Sequence, residues 1–413
     1  MRGLLLWSLL TVGTLSASAQ ENKVTVNAQL RTRGEYRNGA ITPQKEGEKA
    51  ATFVNERARL SAQYDRGDLT LRASVQHTGV WGQDPQVDKQ GRVALNEAWA
   101  RLNIGEGFFA QIGRQPLVYD DERLLGALDW NVAGRAHDAL KMGYADGNNQ
   151  VHLILALNQN DETTKQVYYD ASKGQPYKSM QTVWYHYDGH EMMVPFDISV
   201  LFMNLGFEQG DAKKNTSDVK AMQTLGTHFN VMPPIDGLKL TGSFYYQMGN
   251  DKAAWMASLK AAYRYDDNWS AHVAYDRMSG DDNMLDGKLR AFDPLFGTHH
   301  KFYGAMDLFY VPRFKTTDNY GLQDIQAGVQ TKIVPHVPME LTYHYFTTAA
   351  KIQDAILGLG HELDYQLSYD VMKNVQLTAG YSLMLGMRTL DKIKGGDHKE
   401  WQDWGWVSLN VKI

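Results

Sequence analysis

Strict alternation of apolar and polar side chains constrains this chain more than any other feature. Val24-Thr25-Val26-Asn27-Ala28-Gln29-Leu30, Leu69-Thr70-Leu71-Arg72-Ala73-Ser74-Val75 and the terminal Val407-Ser408-Leu409-Asn410-Val411-Lys412-Ile413 are three instances. About 18 segments of roughly ten residues repeat the pattern, and a β-strand turns successive side chains to opposite faces. Each segment then has one greasy face and one wet face. Many such strands, with no helical stripe between them, describe a transmembrane antiparallel β-barrel.

The N-terminus agrees. Arg2 is followed by the short apolar stretch Leu4 to Leu15, and Ala17-Ser18-Ala19 is a small-residue cleavage signature. Residues 1–19 are therefore expected to be a signal peptide and 20–413 a single barrel domain. The apolar stretch is too short to span a bilayer comfortably. The chain has no Cys, which excludes disulfides, thiol catalysis and lipidation at a cysteine. The mean hydropathy of -0.44 resembles that of a soluble protein. A barrel gives that value too, because every second residue faces a polar lumen. The counts of 22 Tyr and 10 Trp suit a protein with two membrane–water interfaces. A soluble all-β fold is the competing reading, but it needs polar residues on its outer face. The net charge of -5 becomes -6 when Arg2 is removed and excludes no partner class.

The expected strands are 24–36, 53–65, 69–79, 93–104, 108–116, 138–145, 150–158, 180–188, 196–206, 219–230, 238–248, 254–265, 269–279, 322–333, 338–347, 361–370, 374–386 and 402–413. Bacterial barrels use short periplasmic turns, long extracellular loops and an even strand count. Links such as Arg66-Gly67-Asp68 and Gly105-Glu106-Gly107 are short, and links such as 37–52, 117–137 and 387–401 alternate with them. The links 189–195 and 249–253 depart from the size rule. Counting Lys301 to Tyr310 as a strand gives an odd total, so 280–321 is expected to be one long outer loop. Its apolar run Phe292, Leu295, Phe296, Phe302, Tyr303, Met306, Leu308 and Phe309 must then be buried in the barrel mouth or lumen.

Alternation also assigns the charges. Arg31 and Arg33 oppose Val26, Ala28 and Leu30. Arg57 and Arg59 oppose Ala58 and Leu60. Arg72, Arg101 and Lys141 fall on inner faces as well, as do Lys239, Lys260 and Arg264. The first four strands neighbour one another in a meander, so their arginines share one patch of inner wall. Arginine on the lipid side near the midplane would cost about 2–4 kcal/mol, which enforces the facing. Clustered guanidinium groups attract carboxylates. The plainer reading pairs them with Glu35, Glu56, Glu97 and loop carboxylates as wall scaffolding.

The stretch from Gln111 to Asp138 stands out. Pro116 ends a strand because it cannot donate to the ladder. The loop beyond it mixes acids with Arg123, Arg135 and Trp130, the composition of a folded loop. Here the sequence resembles the outer-membrane alginate-export channels. The resemblance is carried by Gly113-Arg114-Gln115, Arg123-Leu124-Leu125-Gly126, Asp129-Trp130 and Gly134-Arg135-Ala136-His137-Asp138. It continues in Asn96-Glu97-Ala98-Trp99-Ala100-Arg101-Leu102 and in Phe292-Asp293-Pro294-Leu295-Phe296-Gly297-Thr298-His299-His300-Lys301-Phe302-Tyr303-Gly304. It implies an 18-stranded barrel in a Gram-negative outer membrane, with a positive, loop-constricted pore passing a polyuronate. The departure is His137, where the family more often has an aromatic residue. The solute is left open between a polyuronate and another anion.

The expected pore-lining cations are thus Arg31, Arg33, Arg57, Arg59, Arg72, Arg101, Arg114, Arg123, Arg135 and Lys141. The partners expected are an anionic polysaccharide or other anionic solute, outer-membrane lipid and possible periplasmic export proteins, with no nucleic acid. No cofactor, metal or catalysis is expected. His299-His300 point apart in an extended chain. Asp281, Asp282, Asn283 and Asp286 miss EF-hand spacing. Asp120, Asp121 and Glu122 come with no Gly-x-Ser-x-Gly elbow. The alternative function is a closed or structural barrel serving adhesion or partner binding.

Overall fold

The computed structural model describes residues 22–87, 92–283, 285–309, 320–352 and 357–413. The expected signal peptide lies outside them. The described residues build one closed antiparallel sheet of 18 strands. These are β1 (Lys23–Asn38), β2 (Ala51–Asp65), β3 (Leu69–Val80), β4 (Ala94–Gly105), β5 (Phe108–Gln115), β6 (His137–Asp146), β7 (Asn149–Leu157), β8 (Ser179–Gly189) and β9 (Phe196–Glu208). The second half comprises β10 (Val219–Val231), β11 (Leu238–Gly249), β12 (Lys252–Arg264), β13 (Trp269–Met278), β14 (Leu322–Val334), β15 (Val337–Thr347), β16 (Gly358–Met372), β17 (Val375–Gly386) and β18 (Gln402–Lys412). Every strand expected from alternation is present, with ends displaced by at most three residues. Each pairs with its sequence neighbours, and β1 closes the ring on β18 from Gln29↔Lys412 to Asn38↔Asp403. Closure leaves no edge, as a bilayer demands.

The outward face is apolar. Val26, Leu30, Leu60, Ile112, Leu259, Val273, Ile325, Leu341 and Val407 are all exposed. A surface of this kind is stable only against lipid. Exposed Tyr36, Tyr246, Tyr275 and Tyr381 lie toward the long-loop end, and Tyr263, Trp269 and Tyr369 toward the short-turn end, in the positions of two interfacial girdles.

β13 and β14 pair directly from Trp269↔Thr331 to Met278↔Leu322, and the described residues between them contribute no wall strand. Within it, His299–Lys301 is one 3-10 turn. The apolar run is buried as expected: Phe292, Phe296, Tyr303, Met306, Leu308 and Phe309 are each at most 5% exposed, while Phe302 is only half-buried. Tyr310 lies outside the described residues. Burying each such side chain stabilises docking by about 1.5–3 kcal/mol. The link 387–401 contains a short helix, α1 (Arg388–Lys394), which alternation did not anticipate. Its Leu390 is fully buried and joins the same apolar cluster.

Candidate functional site

The site begins with the loop 116–136, which crosses the barrel interior. On one side it is held by β1–β3. Arg31 donates to the Asp129 carbonyl at 2.8 Å, Arg33 to the Trp130 carbonyl at 3.1 Å, and Gln76 to the Ala133 carbonyl at 2.8 Å. On the far side the Asp120 carboxylate accepts from Trp184 (2.9 Å) on β8, Ser199 (2.5 Å) on β9 and Tyr245 (3.3 Å) on β11. Arg123 forms a bidentate pair with Asp276 on β13, both bonds at 3.0 Å. Two motif glycines permit close approaches. A Cβ on Gly113 (φ +122°) would lie 2.2 Å from the Ala98 carbonyl oxygen, and one on Gly126 would lie 2.3 Å from Thr298 Oγ1.

Residues 285–309 of the long loop between β13 and β14 pack on this crossing. The Gly126 amide donates to the Phe296 carbonyl and the Phe296 amide to the Leu124 carbonyl, each at 3.0 Å. Arg135 donates to the carbonyls of Phe296 and Gly297. Met306 and Ala305 donate their amides to Glu362 (2.8 Å) and Asp364 (3.0 Å) on β16. The indole of Trp130 is sandwiched between the Arg33 guanidinium, 3.9 Å from the ring centroid, and the His300 ring at 4.1 Å. Below the loops, a cavity of about 940 Å³ opens at the short-turn end, with Lys239, Arg264, Lys332 and Glu340 in its lining.

Seven of the expected cations form one series on the inner face. Arg33 and Arg31 lie on β1, and Arg31 is in register with Arg57 on β2. Arg59 is in register with Gln76 on β3, and Arg72 with Trp99 on β4. Arg101 on β4 is level with Gln111 on β5, which is level with Lys141 on β6. The series steps toward the short-turn end as it passes from β1 to β6.

The scaffold reading holds for some of them. Arg33 pairs with Glu35 at 2.9 Å and Arg72 with Glu97 at 3.2 Å. Glu56 instead accepts from the exposed Trp81 indole. Among the described residues, the carboxylate at ion-pair distance from Arg31 and Arg57 is the loop residue Asp129, at 3.6 and 2.8 Å. Partial burial opposes ionisation of Asp129, but Arg57 and Arg31 outweigh it and hold the carboxyl below the usual carboxylate range. Arg59 bonds Gln76, Asn96 and the Ala133 carbonyl, all neutral, and Arg101 bonds Asn103 and lies 3.8 Å from the Phe109 centroid. Among the described residues, Arg59, Arg101 and Lys141 have no carboxylate at ion-pair distance.

Three expected cations sit elsewhere. Arg114 shares its parity with exposed Ile112, faces outward and pairs with Asp138 at 3.0 Å. Arg123 is fully engaged by Asp276, Asp121 and the Phe302 ring. Burial works against its charge, yet Asp276 and Asp121 outweigh burial and raise its pKa well above the ordinary arginine value. Arg135 braces one loop against the other. The inner acids of β13–β16 were missed in the sequence. Asp276, Asp324, Glu362 and Asp364 are carried there, with His344 bonded to Asp324 at 2.9 Å. In an 18-strand ring β13 and β14 stand opposite β4 and β5, and inner parity alone would have found these acids.

A closed 18-strand barrel with an apolar belt and loops folded inward defines an outer-membrane channel of the porin class. The family model described as alginate export matches residues 22–384, and the chain belongs to that family. Among solved structures it is similar to OccAB4 of Acinetobacter baumannii (TM-score 0.63, 12% identity, covering 96% of this chain and 98% of that one). It is similar also to the outer-membrane protein opdK of Pseudomonas aeruginosa (TM-score 0.60, 11% identity, 94% and 98% covered). OccK2 (OpdF) of the same organism, solved in complex with glucuronate, gives a TM-score of 0.58 at 11% identity, with 94% and 98% covered. No curated protein matches the chain. The protein is thus a channel of the Gram-negative outer membrane.

Proposed function

We propose that the channel passes anionic carbohydrate of the uronate class, drawn along Arg33, Arg31, Arg57, Arg59, Arg72, Arg101 and Lys141. One observation carries this reading: Arg59, Arg101 and Lys141 face the interior with no carboxylate partner among the described residues. Unneutralised charge in a narrow, low-dielectric passage lowers the energy of a passing anion and raises that of a cation. Several weak sites in series let a charged chain slide without being trapped. The family match to alginate export and the glucuronate in the OccK2 structure point to the same solute class. The chain is a passive conduit and not an enzyme, with Asp120 and Asp121 already committed to holding the loop. Transport direction then follows the solute gradient and any periplasmic partner.

The test is the reversal potential in planar bilayers under a salt gradient. The native channel should prefer anions and be blocked by sodium glucuronate. Replacing Arg57, Arg59 and Arg72 with Ser should shift the potential toward cation permeation while the barrel stays folded, since lumen substitutions tune selectivity. An unchanged potential with persisting conductance would make these arginines scaffold. The apolar packing of both loops in the interior favours a second reading, a closed barrel serving adhesion or partner binding. Absence of any conductance in the same recording would select it.

A further inference from the structure

The carboxylate that meets the middle of the cationic series belongs to the protein itself. Arg57 is only 1% exposed and donates through Nη2 to Asp129 Oδ1 at 2.8 Å. Its Nε and Nη1 are buried and have no hydrogen-bond partner among the described residues. A guanidinium has five N–H donors in a fixed fork, and buried donors left unpaired are unfavourable. The Asp129 side chain, by contrast, is 60% exposed.

The loop tip does not need that carboxylate to stay in place. The backbone carbonyls of Asp129, Trp130 and Asn131 accept from Arg31 at 2.8, 3.5 and 3.1 Å. Arg33 holds the Trp130 carbonyl and covers its indole, and His300 covers the other side. What the carboxylate does is neutralise Arg57 and Arg31.

We infer that the Asp129 carboxylate is a built-in stand-in for the solute's carboxylate. A passing uronate exchanges with it on the Arg31–Arg57 pair, taking over the Arg57 Nη2 hydrogen bond that Asp129 otherwise holds. Asp129 thereby sets the affinity of this step and keeps a permeating chain from being held there. The inference rests on the uronate reading above and adds a residue that tunes its specificity.

The test is glucuronate block of single channels for the native protein, Asp129→Asn, Asp129→Glu and Arg57→Ser. Asp129→Asn should tighten block by about tenfold, equivalent to roughly 1.4 kcal/mol, and shift the reversal potential further toward anions. Asp129→Glu, which keeps the charge, should stay near the native value. Arg57→Ser should weaken block. Native block in Asp129→Asn, with weakened block in Arg57→Ser, overturns the inference and leaves the uronate reading standing. Native block in both overturns both. New protease cleavage within 116–136 in Asp129→Asn would make the carboxylate a loop anchor and also overturn the inference.

Discussion

Replacing Asp276 with Asn should loosen the crossing loop without breaking the barrel. Arg123 and Asp276 are 6% and 3% exposed and share two hydrogen bonds of 3.0 Å. Removing one partner of a buried pair typically costs about 3–5 kcal/mol because a charge is left uncompensated. Here Arg123 keeps Asp121, bonded at 2.8 Å, and the Phe302 ring at 4.1 Å. The asparagine also keeps one acceptor oxygen. A cost of about 2–3 kcal/mol remains, which raises the undocked population of the loop roughly 30–150-fold. The wall should hold, because β13 keeps its full registers with β12 and β14. Single-channel recording should show larger, noisier openings, while the protein keeps its heat-modifiable mobility on gels. Native conductance and noise in the variant would refute the claim that this pair holds the loop in the channel.

Other perturbations probe the remaining parts. Gly113→Ala should sharply reduce the folded fraction on semi-native gels, because its Cβ would collide with the Ala98 carbonyl and part β4 from β5. A cysteine at exposed Lys288 should react with an impermeant maleimide on intact cells; labelling only after the periplasm is opened would invert the barrel. Burial, with Arg135 and Arg123 adding to it, pushes the His299 imidazole down to about 3, although its bond to the Pro294 carbonyl works the other way. Since the docked loop holds His299 neutral, docking is fully stable above about pH 6.5 and weakens as pH falls toward 3. The protection factors for hydrogen exchange over residues 295–309 should therefore fall in acid, and His299→Gln should flatten that response.

The wall was legible because period two is imposed on every strand by two different solvents. Leu60 must meet lipid if Arg59 is to avoid it, so one residue fixes the next. The same rule places Arg114, two residues beyond outward-facing Ile112, on the outer surface. It was misassigned by its membership of a motif whose other arginines turn inward. Inner carboxylates on β13–β16 are equally readable by parity, since Asp276, Asp324, Glu362 and Asp364 alternate with outward-facing residues. The contacts that make the site were not readable. Arg123 and Asp276 lie 153 residues apart, and Trp130 and His300 meet from different loops. Irregular backbone has no period, so nothing in the sequence between Pro116 and Ala136 states which wall it will touch.

The bonds that hold the loop also decide what charge the passage presents. A loop anchored to arginines by carboxylates would fix them and cancel them together. This one offers mostly carbonyls. Arg31 takes three of them, Arg33 one, Arg59 the Ala133 carbonyl with two side-chain amides, and Arg101 the amide of Asn103. Neutral acceptors orient a guanidinium and satisfy its donors without removing its charge. The cations are therefore held in position while much of the positive field survives. Asp129 is the exception on this loop tip, which is why its side chain, and not its backbone, is the place to look for control of what passes.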